Sequence, residues 1–321
     1  MSKPQKMGEL PTERVTIAAP FANTGLDVFG DFTVKHAGRG EKKRWALLAT
    51  CFVTRAVAIY PLTDMTLSSV IFALVKMQSQ FPSLRKIFSD NGSNFKGADR
   101  ELREAMASWN EQEAQDRAAE YGLEWVFGPA YCGSYGGVWE RLIQIVKNSF
   151  KACIGNKVLT VDSFDALCMG VAGVVNRRPL TRATNATDDF MVLSPAHFIY
   201  PYTFVHSSNA VLPPLPDRGD HLRATWTALR SILDEFWRLW REEYLETLQK
   251  REKWTSSTPP LAIGDVVLVK EDITPRERWK LGRIIEVLGS DDGHPKRFRL
   301  RDAAENTFDR HITSLIRLEL S

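Results

Sequence analysis

Three acidic residues stand where an acid needs a reason. Asp27 interrupts the apolar run Gly25-Leu26-Asp27-Val28-Phe29. Asp90 closes a short run containing Ile87-Phe88 and precedes the turn pair Asn91-Gly92, and Glu140 opens a helix-like stretch after Gly136-Gly137-Val138-Trp139. Strand, strand end and helix start would then carry one carboxylate each. Magnesium and manganese prefer oxygen ligands, and a two-metal phosphoryl-transfer site needs carboxylates flanking ions roughly 3.5–4 Å apart. Each acid alone has a structural reading: Asp90 as a turn former, Glu140 as a helix-start acid favoured by the macrodipole. Leu26 and Val28 would point away from Asp27, because strand side chains alternate. Asp31 shares the face of Asp27 but lies four residues on, roughly 13 Å at strand rise. That is too far to share an ion, and Asp31 reads as a strand-end or turn acid. Taken together, Asp27, Asp90 and Glu140 point to a divalent-metal site.

Positioning those acids requires a sheet. Three strands are predicted in succession, Thr24–Val34, Arg44–Phe52 and Arg55–Pro61, with short links that suggest an antiparallel meander. A helix follows over Thr66–Phe81, stopped by Pro82, and then a short buried strand at Lys86–Ser89. The polar stretch from Ala98 to about Tyr121 reads as surface helix with part of it looped. Another strand follows at Leu123–Phe127, then a Gly-rich loop, Cys132 to Gly137. Amphipathic helices are predicted at about Val138–Ile154 and Thr160–Asn176. The order implies a mixed sheet with helices on both faces. Beyond an irregular, Pro-rich boundary at Pro195–Asp220, Leu222–Trp254 reads as one long helix. Its stripe is Trp226, Leu229, Leu233, Phe236, Trp237, Trp240, Tyr244 and Leu248, a packing or self-association surface rather than a ligand site. Five short strands close the chain, Asp265–Lys270, Trp279–Leu288, Lys296–Arg301, Thr307–Arg310 and Ser314–Leu318, as in a small closed barrel.

Composition narrows the function classes. The chain has 321 residues and a net charge of +3, enough for two domains and weak evidence for a polyanionic partner. Its N-terminus does not resemble a signal peptide, and its longest apolar runs are too short to cross a bilayer, so a soluble, intracellular protein is expected. Four cysteines without a Cys-x-x-Cys pair read as buried free thiols, and six scattered histidines encode no zinc finger. Charge is distributed unevenly. Between Arg141 and Arg182 seven basic residues face two acids, Asp162 and Asp165. Gln144, Lys147 and Lys151 share a helix face with Glu140 and suit phosphate contacts beside a scissile bond. Tyr131, Ser134 and Tyr135, in the loop before Glu140, form a plausible flap over substrate, with glycines that let backbone approach DNA closely. Trp279, Lys280, Arg283, Arg297, Arg299 and Arg301 offer a second nucleic-acid surface, nearly balanced by acids; Trp279 reads equally well as core.

The blocks Gly25-Leu26-Asp27, Ser89-Asp90-Asn91-Gly92-Ser93-Asn94-Phe95 and Gly136-Gly137-Val138-Trp139-Glu140-Arg141 resemble the three catalytic blocks of retroviral-type DDE integrases. The wording is nearest to the BEL/Pao group of long-terminal-repeat retrotransposons. Further matches are Thr50-Cys51-Phe52-Val53-Thr54-Arg55-Ala56-Val57, Asn176-Arg177-Arg178-Pro179-Leu180 and Ser194-Pro195-Ala196-His197-Phe198. The gap from Asp90 to Glu140 is longer than in retroviral integrases, which Arg100–Glu120 accounts for as a surface insertion. A His-His-Cys-Cys zinc domain is lacking, so the chain resembles a polyprotein fragment or a stand-alone gene derived from one.

The resemblance implies an α/β fold: an RNase H-like mixed five-stranded sheet with flanking helices, then a long helix and a small SH3-like β-barrel. The corresponding division is a linker (1–19), a catalytic core (20–205), a Pro-rich connector with the long helix (206–258) and the barrel (259–321). It also implies Asp27, Asp90 and Glu140 as catalytic ligands of two Mg²⁺ or Mn²⁺ ions. The reaction would be 3′-end processing of the element's DNA, then strand transfer into target DNA. Asn91, Arg177 and Arg178 join the expected DNA contacts. A homo-oligomer working in the nucleus is expected, with assembly in the cytoplasm left open, no membrane and no small-molecule cofactor. The rival reading is a domesticated or decayed DNA- or chromatin-binding protein that keeps the fold without the chemistry.

Overall fold

The computed structural model describes residues 12–36, 40–90, 110–128, 139–183, 190–200, 220–249, 260–271, 274–288 and 296–319; for residues 90, 139–141 and 220–223 it describes the backbone alone. By its contacts the chain divides into two units. The first holds residues 1–176 and 198–236, the second residues 177–197 and 237–321. The second unit therefore takes in a segment, 177–197, that the sequence places in the core domain.

The first unit is a mixed α/β layer preceded by a one-turn helix, α1 (Thr12–Val15). Its strands are β1 (Asn23–His36), β2 (Gly40–Cys51), β3 (Val57–Leu62), β4 (Lys86–Asp90) and β5 (Glu124–Gly128), in the spatial order β3-β2-β1-β4-β5. The β1–β2 and β2–β3 ladders are antiparallel, and the β1–β4 and β4–β5 ladders are parallel. A sixth, two-residue strand, β6 (Leu159–Thr160), pairs with Val34 and Lys35 beyond the reach of β4. Two residues carry no periodicity, so nothing in the sequence marks this strand, and the sheet has one strand more than the five that the resemblance implies. β1 is longer than predicted, and its register shifts between Gly30 and Phe32. Asp31 thus sits at a mid-strand irregularity instead of a strand end, ion-paired to Lys43 at 2.8 Å.

Both faces of this sheet are covered. Leu26 and Val28 of β1 join a core with Val70, Ile71, Leu74 and Met77 of α2 (Leu67–Gln80) and with Ala114 and Ala118 of α3 (Glu111–Ala119). Helix α2 starts where Thr66 accepts a hydrogen bond from the Ser69 amide and ends at Phe81, just before Pro82. Phe29 and Phe32 meet the other face's helices. Phe29 packs on Phe150 of α4 (Trp139–Ile154), and Phe32 on Phe150 and on Phe164 of α5 (Val161–Asn176). The first part of α7 (Asp220–Leu248) also belongs to this unit, and Gly170 of α5 admits Leu233: a Cβ there would lie 2.9 Å from its Cδ2.

The second unit contains a small hairpin, β7 (Thr181–Arg182) with β8 (Val192–Leu193), and a short helix α6 (Pro195–Ile199) that begins in it. It also holds α7 from Trp237 onward and five antiparallel strands. These are β9 (Val266–Val269), β10 (Leu281–Leu288), β11 (Arg297–Arg301), β12 (Thr307–His311) and β13 (Leu315–Arg317), in the order β12-β11-β10-β9-β13. Among the described residues no ladder joins β12 to β13, which are linked by a 3₁₀ turn at Ile312–Ser314. The aromatic stripe of α7 is used internally here. Trp237, Trp240 and Tyr244 surround Trp279, with Trp237 and Trp279 at 4.9 Å between ring centroids. Trp279 is core.

Candidate functional site

Asp27 lies in the middle of β1, between β2 and β4, opposite Leu48 of β2. The parallel ladder with β4 pairs Asn23 with Lys86, Thr24 with Ile87, Gly25 with Phe88 and Leu26 with Ser89. The last of these pairs, Leu26 with Ser89, lies one residue before each acid, so Asp27 and Asp90 follow it on adjacent parallel strands. Asp90 is the last residue of β4 and is itself paired with Gly128, the last of β5. Two sequence-distant acids therefore occupy neighbouring positions where β4 and β5 end.

The surroundings hold that end of the sheet in place. Ser89 accepts a hydrogen bond from the Trp125 indole at 2.9 Å, linking β4 to β5 one residue before Asp90. Gly25 leaves room for Phe52, whose Cε1 would be 3.0 Å from a Cβ at residue 25. Phe52 stacks on Phe88, the residue opposite Gly25, with 4.9 Å between centroids. An apolar pair thus sits two residues back from each acid.

Helix α4 supplies the other wall. Its backbone includes residue 140 in the first turn, two turns before Lys147 on the same stripe. The Lys147 ammonium forms an ion pair and hydrogen bond with the Asp27 carboxylate. Both side chains are largely sequestered, 13% and 22% exposed. One turn on, Lys151 acts on Asp31. A hydrogen bond from Lys43 holds that carboxyl below its ordinary range, and the charges of Lys43 and Lys151 add to the effect. Gln144 is exposed and donates to Asn148 at 2.7 Å. The structure thus brings Asp27, Lys147 and the backbone of residue 90 together, with Gln144 and Lys151 flanking.

Other expected site residues fall elsewhere. Arg178 is completely buried, its Nε donating to Glu319 at 3.1 Å, and has no surface to offer a phosphate. Arg177 pairs with Glu277. Most of the expected basic surface on the small sheet is also engaged. Arg283 is buried and donates to the Gly264 carbonyl at 3.1 Å, and Lys280 pairs with Glu271. Arg299 pairs with Asp309 and Glu286, and Arg301 with Glu305. Asn91, Tyr131, Ser134 and Tyr135 lie outside the described residues, as do the side chains of Asp90 and Glu140. Among the described residues no group of three His, Cys, Asp or Glu side chains could hold a metal.

Several motif residues prove to be fold determinants. Asn176 accepts from the Val57 amide and donates to the Val57 carbonyl, both at 2.7 Å, completing the edge of β3. Cys51 accepts from the Phe21 and Thr54 amides in the β2–β3 turn, where Arg55 adopts φ +58°. Cys51, Cys153 and Cys168 are buried free thiols, as expected, and Cys132 lies outside the described residues. Burial pushes the Cys153 thiol up to about 12. Among the described residues no helix is long and apolar enough to cross a membrane.

Residues 224–318 match the model of a family of unknown function, DUF5641. No curated protein matches the chain. Among solved structures it is similar to one described as the cryo-EM structure of the simian T-cell lymphotropic virus intasome in complex with PP2A regulatory subunit B56 gamma. The likeness spans 98% of this chain and 84% of that chain at 12% identity and a TM-score of 0.37, too loose to assign either fold or activity.

Proposed function

We propose that the chain is a metal-dependent DNA strand-transferase of the retroviral integrase type, of BEL/Pao retrotransposon origin. In this reading the mixed sheet is an RNase H-like core and the C-terminal five strands are an SH3-like module. The observation that supports it is the β1–β4 register, which pairs Leu26 with Ser89, the residues just before Asp27 and Asp90, together with the Lys147–Asp27 ion pair from the helix that begins at residue 139. One carboxylate inside β1, one at the end of the adjacent β4 and a third on a helix suit hard divalent cations. Asp27, Asp90 and Glu140 would hold Mg²⁺ or Mn²⁺, and the bound ions would supply activation of the attacking oxygen and charge stabilisation at phosphorus.

The chain's own residues would do the remainder. The Phe52–Phe88 stack and the Ser89–Trp125 hydrogen bond would fix the separation of the two strand-borne acids. Gln144 and Lys151, exposed on α4, would contact backbone phosphates, a sequence-independent interaction. DNA ends and target DNA are the proposed partners, a homo-oligomer the proposed assembly and the nucleus the proposed location. The test is strand transfer between short duplexes in Mn²⁺. Wild type should join them, and Asp90→Asn should abolish joining with an unchanged circular dichroism spectrum and melting temperature. Wild-type DNA binding without Mn²⁺-dependent joining would instead favour a non-catalytic DNA- or chromatin-binding protein.

A further inference from the structure

Lys147 lies on the helix stripe expected to meet DNA, yet in the structure its ammonium is committed to Asp27. That ion pair joins α4 to the centre of β1 and is mostly withdrawn from water, where charges are weakly screened. A divalent cation claiming Asp27 must therefore contend with a fixed positive charge already on the carboxylate. We propose that Lys147 is a component of the cation site itself: the resident counter-ion of Asp27 when no metal is bound, displaced when one enters. This rests on the metal-site reading above. It has two consequences. Lys147 lowers the apparent affinity for metal, since two cations cannot share the Asp27 oxygens without repulsion. Metal entry also releases an ammonium on the same face as Gln144 and Lys151, so DNA affinity should depend on the metal through this residue.

The full chain tests this with Mn²⁺ as the probe. Calorimetric titration should show Lys147→Met binding Mn²⁺ roughly tenfold more tightly than wild type, because a competing charge has gone. Lys147→Arg, which keeps the charge, should resemble wild type. Wild type alone provides a second measurement that needs no variant to fold. Acylation of Lys147 by an amine-reactive ester, read by peptide mass spectrometry, should rise several-fold at saturating Mn²⁺. Equal Mn²⁺ affinity in wild type and Lys147→Met, with binding still lost in Asp27→Asn, would overturn the counter-ion role and leave the metal site standing. No Mn²⁺ binding in any of these proteins would overturn the metal site, and this inference with it. Mn²⁺-independent labelling of Lys147 in a protein that does bind Mn²⁺ would likewise overturn the displacement.

Discussion

At the scale of single residues, the chain separates chemistry from architecture within motifs that look uniform. Asp27 and its neighbours in the first block surround the candidate site, whereas the Asn176-Arg177-Arg178 block is structural throughout the part described: an amide on an edge strand and two ion-paired arginines. Replacing Asn176 by alanine removes both partners it gives Val57. Buried backbone groups left unsatisfied cost about 1–3 kcal/mol each, so Asn176→Ala should lose about 2–6 kcal/mol in urea denaturation. A loss under half a kcal/mol would mean that water or another group replaces it. The types and spacing of the three acids were legible from the sequence, because acids inside apolar runs are conspicuous. The fate of Arg178 was not. A buried arginine and a phosphate-binding arginine are identical in sequence, and only the arrival of Glu319, far along the chain, distinguishes them.

At the scale of elements, the long periodic ones were legible, and the short ones were not. Helix α2, with its Thr66 cap and Pro82 stop, lies where its signals put it, and so do α4 and α5 within a residue or two. The two-residue strands β6, β7 and β8 went unseen because pairing, not pattern, creates them. Helix α6 was missed despite a usable signal: Ser194 precedes Pro195 in the first helical position. His197, in the third position, accepts from the Ser194 amide at 3.0 Å and sits 2.8 Å from its hydroxyl, which is one half of a capping box with histidine in the place of glutamine; the His197 amide itself bonds the Ser194 carbonyl. Burial, the larger influence, holds the His197 imidazole below its ordinary value. The folded state then binds fewer protons than the unfolded one. The stability carried by the buried neutral imidazole is complete above the unfolded histidine value, about 6.5, and is lost as pH falls through the lower folded one. Wild type should therefore lose stability between pH 7 and pH 5 relative to His197→Gln, which can accept the same hydrogen bond without titrating. Parallel pH profiles for the two proteins in denaturant titrations would show that burial of His197 does not couple stability to its protonation.

At the scale of the whole molecule, the chain forms two units that are not consecutive in sequence, since segment 177–197 joins the C-terminal strands and α7 is divided between Phe236 and Trp237. Such a unit needs long-range ties within itself, and Glu319 makes two. It accepts from the buried Arg178 at 3.1 Å and from the Tyr244 hydroxyl at 2.9 Å, so a residue near the C-terminus connects the 177–197 segment to α7. Arg178 is among the largest fully buried side chains, and Glu319 is only 13% exposed. Attraction between such charges is offset by their desolvation, so the pair adds little net stability by forming, but removing one partner strands the other charge at about 3–5 kcal/mol. Glu319→Ala should accordingly destabilise the second unit by about that amount, whereas replacing Arg178 and Glu319 together with apolar residues should recover much of it. Native-state hydrogen exchange locates the effect. Amides of β9, β13 and the C-terminal half of α7 should exchange faster in Glu319→Ala, while those of β1 to β5 keep wild-type protection. Equal acceleration in both units would show that they unfold as one cooperative body and that Glu319 holds the whole chain rather than one half of it.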